Sequence, residues 1–192
     1  AFIEDAVRRG AVAVVAEQPA AAGAVLITVP SSRRALAELS ARFFGAPSEA
    51  LTVVAVTGTN GKTTTSFLVE SILERAGHHT GLIGTIDTRY AGRSFASPVT
   101  TPESLDLQRI LADMRAAGVT HVVLEASSHA IDLSRIHCCW MDVAVLSSLH
   151  GRGGEMLAEL IREPGGSAAF LPPLAQSIGA FREEGVPVDR LG

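Results

Sequence analysis

Cysteine is scarce in this 192-residue chain, which holds two, adjacent at Cys138 and Cys139. Adjacent cysteines rarely close an unstrained disulfide, and no Cys-x-x-Cys or Cys/His spacing surrounds them, so neither a disulfide framework nor a zinc site is indicated. Two buried thiols in a reducing cytosol are the expected reading, and with it a cytoplasmic location. Also missing is any apolar run of membrane-span length, which sets a membrane aside. Positive charge is not in excess: the formal net charge is −4, and without a basic stripe nucleic acid is not expected as a main partner. The start, Ala1-Phe2-Ile3-Glu4-Asp5, has no initiator Met and no basic, apolar leader pattern, and reads as a chain entered mid-domain or trimmed. Internal repeats and low-complexity segments are absent. What is present is length for one α/β domain, or one domain plus a piece of another. The hydrophobic content of 47% is enough for a proper core.

From Pro47 onward, β-prone runs and helical patterns alternate. Strands are expected at 51–56, 81–86, 121–125 and 143–146. A helix is expected over 62–76, closed by Gly77, and another from Thr101 to about Gly118, with Thr101 as N-cap and Pro102 at its first position. Residues 87–98 are polar and Gly-containing and suggest a hairpin. The alternation argues for an α/β fold with a doubly wound, mostly parallel sheet, in which ligands bind at the carboxyl ends of the strands. Residues 57–63, Glu125 and the loop 147–150 all fall at such ends. Ahead of Pro47, residues 2–9 read as a helix, 11–16 and 25–29 as strands. A helix capped by Ser31 or Ser32, with apolar positions Leu36, Leu39 and Phe43, ends at Gly45. The tail is less regular: a helix over 155–162, a turn at Gly165-Gly166, a strand over 167–171, a helix over 174–184 and a strand over 186–188.

The most informative run is Val53-Val54-Ala55-Val56-Thr57-Gly58-Thr59-Asn60-Gly61-Lys62-Thr63-Thr64-Thr65. A buried-type strand leads into a Gly-rich turn and then a helix N-terminus. Small residues let backbone N–H groups approach phosphate oxygens, and the helix dipole favours the anion. Gly58, Thr59, Asn60, Gly61, Lys62, Thr63 and Thr64 are therefore the candidate nucleotide contacts. Lys62 would reach the β- and γ-phosphates and the Thr63 hydroxyl would ligate Mg²⁺. The strict P-loop spacing is not met, because position 56 is Val where that pattern wants Gly. A Gly-rich strand–helix turn that binds nothing is the bland alternative.

At this point the chain resembles the Mur ligase family, with the features of its MurE type. Thr57-Gly-Thr-Asn-Gly-Lys-Thr-Thr is similar to the family's own P-loop, where the early Gly is absent. Gly81-Leu-Ile-Gly-Thr, Thr100-Thr101-Pro102, Glu125-Ala-Ser-Ser-His-Ala and Asp142-Val-Ala-Val follow in the family's order. Residues 1–46 resemble the end of its UDP-binding N-terminal domain, with the central ATP-binding domain over 47–192 and the C-terminal domain absent. The resemblance covers about 1–149, and 151–192 is divergent or shortened. It implies a P-loop type fold and an ATP-dependent amide ligation. The γ-phosphoryl group passes to the carboxylate of a UDP-muramoyl dipeptide, and an amino acid, diaminopimelate or lysine, attacks the acyl phosphate. ATP and Mg²⁺ are the implied cofactors and a monomer is the expected form. Lys62 and Glu125 are the implied catalytic residues, with Thr63 and Glu125 as metal ligands. An unpaired carboxylate is costly on a buried strand, which favours the metal role over a chance partner for Glu125. Thr100, Thr101, Ser127 and Arg135 are implied substrate contacts. Set against those roles, Thr101 could only cap its helix, Ser127 could be a turn residue and Arg135 a solvated charge. His129 is open between orienting the metal-side loop and a structural hydrogen bond. His78 and His79 read as solvent-facing, and His137 is given no role.

Several departures limit the resemblance. The family's Asp-His-Leu-Asp element is missing from Leu146-Ser-Ser-Leu-His150-Gly151, and its carbamylated lysine has no counterpart, since no Lys follows Lys62. Val99 and Leu133 stand where relatives often carry Asn and Gln. Ligation by this chain alone is therefore not expected. The alternatives are a non-catalytic nucleotide-binding fragment or pseudo-ligase, and another P-loop ligase of the cyanophycin synthetase kind.

Overall fold

The computed structural model describes residues 2–19, 23–148 and 167–170. The expected tail elements at 155–162, 165–166, 174–184 and 186–188 lie outside them, as do His150 and Gly151. The first elements are α1 (Phe2–Arg8), β1 (Ala13–Ala16), β2 (Val25–Thr28) and α2 (Ser32–Phe43). β1 and β2 pair in parallel as a separate two-stranded sheet. Ser31 caps α2, accepting from the Arg34 N–H at 3.3 Å. The apolar positions read along α2 do not face inward: Leu36, Leu39 and Phe43 are exposed, while Ala37, Ser40 and Ala41 are buried. That small-residue face lies against α4 (Ser104–Ala116), where short side chains let two helices approach.

A 3₁₀ turn at Pro47–Ala50 leads to β3 (Thr52–Thr57), α3 (Lys62–Arg75), β4 (Thr80–Ile83), β5 (Asp87–Tyr90) and β6 (Arg93–Ala96). After α4 come β7 (His121–Glu125), α5 (Ser128–Asp132), β8 (Val143–Leu146) and β9 (Ser167–Phe170). The sheet order is β6-β5-β4-β7-β3-β8-β9. β4, β7, β3, β8 and β9 run in parallel, and the β5–β6 hairpin adds antiparallel to β4. The hairpin turns on Ala91 and Gly92, both with positive φ, as a type I′ turn requires.

Successive strand residues point to opposite faces. Val53, Ala55, Val122, Leu124, Ala144 and Leu146 pack on one face with Leu107, Leu111 and Met114 of α4. Val54, Val56, Val123 and Val145 face the other way, against Val69 and Leu73 of α3. A sheet covered on both sides explains why these strands read as unbroken apolar runs.

Two differences from the expected boundaries bear on the site. The second strand ends at Ile83, because the Gly84 N–H donates to the Asp87 carbonyl at 3.1 Å and closes a turn into β5. Helix α4 begins at Ser104 behind Glu103, not at Pro102. Thr101 does not cap it, because its hydroxyl is spent on the Glu125 carbonyl at 2.7 Å.

Candidate functional site

The loop 58–61 joins the buried end of β3 to α3. Gly58 has φ +132°, and a Cβ there would lie 2.5 Å from Ser147 Oγ and 2.9 Å from the Ser148 backbone N. The loop is thus laid directly on the segment after β8, and only glycine permits it. Ser147 Oγ sits 2.9 Å from the Thr57 carbonyl and 2.7 Å from that of Asn60. Ser148 Oγ accepts from the Asn60 N–H at 2.9 Å and lies 3.1 Å from Thr59 Oγ1. Lys62 is the only lysine in the chain. Its Nζ donates to the Gly58 carbonyl at 2.7 Å, folding the cation over the loop. Thr59, Asn60, Gly61 and Thr64 are exposed, whereas the Thr57 hydroxyl is buried without a hydrogen-bond partner.

Glu125 is fully buried at the end of β7, next to β3. Its Oε2 accepts from Thr63 at 3.1 Å and from Thr85 at 2.9 Å, and its Oε1 from the Thr85 N–H at 3.3 Å. Thr85 Oγ1 in turn lies 3.1 Å from Thr100 Oγ1. The Thr101 hydroxyl bridges the Glu125 carbonyl and the Ser127 N–H, at 2.7 and 3.2 Å. Ser127 caps α5 through the Ala130 N–H at 3.2 Å. Arg135 is not a solvated charge: its side chain is 13% exposed, donates to the Thr101 carbonyl at 3.0 Å and pairs with Glu103 at 2.8 Å.

The predicted residues therefore gather around one carboxylate at the carboxyl ends of adjacent parallel strands. Lys62, Thr63, Glu125, Thr100, Thr101, Ser127 and Arg135 form one connected neighbourhood. His129 is exposed on α5. His78 is exposed too, but its ring stacks on His121 with centroids 3.9 Å apart. His137 lies 3.5 Å from Glu38, outside the neighbourhood. Sequence reasoning gave no role to Thr85, and placed the loop 147–150 at a strand end without singling out Ser147 and Ser148. The signal for Thr85 was its place just past the end of a parallel strand beside β7. A cleft of about 570 Å³ between the hairpin and α4, floored by Tyr90, Phe95 and Ile110, includes none of the loop residues and not Glu125.

A divalent cation fits the donor chemistry. The Thr63 hydroxyl and the Glu125 carboxylate are hard oxygens 3.1 Å apart. No cluster of three or more His, Cys, Asp or Glu residues suited to a metal occurs among the described residues. One carboxylate and one hydroxyl suit an ion that completes its shell with water and phosphate, as Mg²⁺ does.

These features define a P-loop type α/β domain with an acidic strand end beside its glycine loop. Residues 56–153 match the family model described as Mur ligase middle domain, and the chain belongs to the Mur ligase family. A Geobacillus thermodenitrificans protein named UDP-N-acetylmuramoyl-L-alanyl-D-glutamate--2,6-diaminopimelate ligase is 49% identical over 148 residues, 77% of this chain and 30% of that protein. A Solibacter usitatus protein of the same name is 48% identical over 150 residues, again 77% and 30%. The chain thus spans about 30% of the length of the curated relatives it matches. Among solved structures, one titled with the same ligase name aligns at TM-score 0.78 and 28% identity, covering 95% of this chain and 40% of that one. A MurF ligase from Thermotoga maritima in complex with ADP aligns at TM-score 0.58 and 27% identity, covering 94% and 42%.

Proposed function

We propose that this chain is the nucleotide-handling part of an ATP-dependent ligase. In this reading the ligase adds an amino acid, diaminopimelate or lysine, to UDP-N-acetylmuramoyl-L-alanyl-D-glutamate. The observation that carries the reading is the contact between the glycine loop and the buried strand-end carboxylate, through Thr63 and Glu125. Residues 1–46 would be the end of a UDP-binding domain and 47–192 the central domain. A cytoplasmic, monomeric protein is part of the same reading.

The chemistry follows from positions. Loop N–H groups and the N-terminus of α3 would hold the phosphates. Lys62 would leave the Gly58 carbonyl to meet the β- and γ-phosphate charge. Thr63 and Glu125 would hold Mg²⁺, which when bound neutralises charge on the transferring phosphoryl group. Thr101, which meets the Glu125 carbonyl, together with Thr100, Ser127 and Arg135 would place the substrate carboxylate in line. Arg135 acts in part by fixing the Thr101 carbonyl and Glu103. Without a wall to exclude water an acyl phosphate hydrolyses, so nucleotide binding without ligation is the expected behaviour of these residues alone. The missing Asp-His-Leu-Asp element, where the sequence reads Leu146-Ser-Ser-Leu-His150-Gly151, favours the same non-catalytic outcome.

Calorimetry with ADP and Mg²⁺ tests the reading. The unsubstituted chain should bind, and Lys62→Ala should weaken binding at least ~100-fold, the loss of about 2.7 kcal/mol of charge-assisted contact. Absence of binding, or binding indifferent to the substitution, would remove the P-loop assignment.

A further inference from the structure

We infer that Thr85 is a positioning residue for the candidate metal site, an inference that rests on the nucleotide-binding reading above. Glu125 has to present an oxygen to a cation without room to search for a rotamer, since the residue is fully buried. Two elements fix it. From one side Thr63, on the first turn of α3, donates to Oε2 at 3.1 Å. From the other, Thr85 grips both oxygens, its N–H on Oε1 at 3.3 Å and its hydroxyl on Oε2 at 2.9 Å. The preceding residue makes this grip possible. A Cβ on Gly84 would stand 2.5 Å from Glu125 Oε1, so any other residue there would push the carboxylate out of this position.

The Thr85 hydroxyl has one proton and two near neighbours, Glu125 Oε2 and Thr100 Oγ1 at 3.1 Å. A carboxylate is the stronger acceptor, so the proton goes to Glu125 and Thr100 Oγ1 stays a close neighbour of the same hydroxyl. Thr63 has a second duty as a direct metal ligand, whereas Thr85 has none. Thr85 is therefore the contact that holds Glu125 in place before and after a cation arrives. Outer partners of this kind tune metal affinity by orienting the ligand. The same hydroxyl ties the metal carboxylate to Thr100, one of the candidate substrate contacts.

The test compares ADP affinity in Mg²⁺ with ADP affinity in EDTA, for the 192-residue chain and its variants. Thr85→Val removes the hydroxyl at nearly constant volume and keeps the N–H. It should reduce the Mg²⁺-dependent gain in ADP affinity by ~10-fold, at the low end of outer-partner effects, while affinity in EDTA stays within about twofold. Thr85→Ser should restore the gain. A melting temperature close to that of the unsubstituted chain shows that the valine variant is folded. An unchanged Mg²⁺ gain in Thr85→Val overturns the inference and leaves the nucleotide reading standing. Equal losses in Mg²⁺ and in EDTA overturn it too, since they mark a merely structural hydroxyl. No ADP binding by the unsubstituted chain overturns both readings.

Discussion

The two sheets among the described residues are built from similar residues and end up in different circumstances. β1 and β2 read Ala-Val-Val-Ala and Val-Leu-Ile-Thr, and none of their residues is buried. β3 and β7 read Thr-Val-Val-Ala-Val-Thr and His-Val-Val-Leu-Glu, and all but the first residue of each is buried. Composition does not separate them. What does is cover: α3 lies on one face of the large sheet and α4 on the other. Full cover also decides where chemistry can sit. A buried carboxylate is tolerable at the end of β7 because several donors reach it, and the flanking strands hold those donors still.

The sharpest test of that contrast is truncation of one leucine and one isoleucine. Leu124→Ala in β7 should cost about 2–5 kcal/mol, because it opens a cavity between the sheet and α4. Ile27, in β2, is 48% exposed, and Ile27→Ala should cost less than about 1 kcal/mol. Urea unfolding of both variants measures the difference. Equal losses would mean that the small sheet unfolds with the large one as a single core.

A smaller effect separates two arginines. Arg89 on β5 reaches the nearly buried Glu70 of α3 through Nε at 3.0 Å and through a second guanidinium nitrogen, and it lies over the Phe67 ring at 4.2 Å. The Glu70 hydrogen bond, chiefly, raises the Arg89 pKa further. Arg89→Ala leaves that carboxylate under-satisfied and should cost about 1–3 kcal/mol. Arg8 on α1 pairs with Asp5 at 3.1 Å, with side chains 76% and 43% exposed. Arg8→Ala should stay within about 0.5 kcal/mol. Melting temperatures of the two variants rank them, and a larger loss for Arg8 would reverse the assignment of rigid and loose regions.

The same contrast governs what could be read in advance. Strands 121–125 and 143–146 were legible to the residue, because a doubly covered strand writes an unbroken apolar run. The Gly-rich loop and Glu125 were legible because both fall at strand ends, where a parallel sheet collects function. Other features were hidden because they depend on what lies across the fold. Thr101 looked like a helix cap by position, and only the neighbouring strand shows that its hydroxyl belongs to the Glu125 carbonyl. Thr85 is unremarkable beside Gly84 until β4 and β7 are paired. Leu36, Leu39 and Phe43 have helical spacing, yet the buried face of α2 is the one carrying alanine and serine.

The smallest effect expected is a separation in pH between the two regions. His121, at the start of β7, has its pKa lowered from 6.5, first by burial and then by the neighbouring His78, with Asp142 opposing. A histidine held low is harder to protonate folded than unfolded. Its cost is therefore absent above about 6.5 and grows as pH falls from there toward the folded value, after which it stays constant. Glu17 precedes α2 in the small region. Its pKa is lowered from 4.5 by hydrogen bonds from the Ser32 N–H and hydroxyl, both 2.8 Å. That carboxylate contributes stability above 4.5, which is lost only as pH falls through its lower folded value. Melting curves between pH 7.5 and 5.5 should therefore show a decline in the unsubstituted chain that His121→Gln flattens and His78→Gln reduces. Ser32→Ala should lower stability by the same amount throughout that window, leaving the decline itself unchanged, and its effect should fade only as pH falls below 4.5. A decline between pH 7.5 and 5.5 that survives His121→Gln would place the acid-sensitive group elsewhere and remove the stacked pair at the start of β7 as its source.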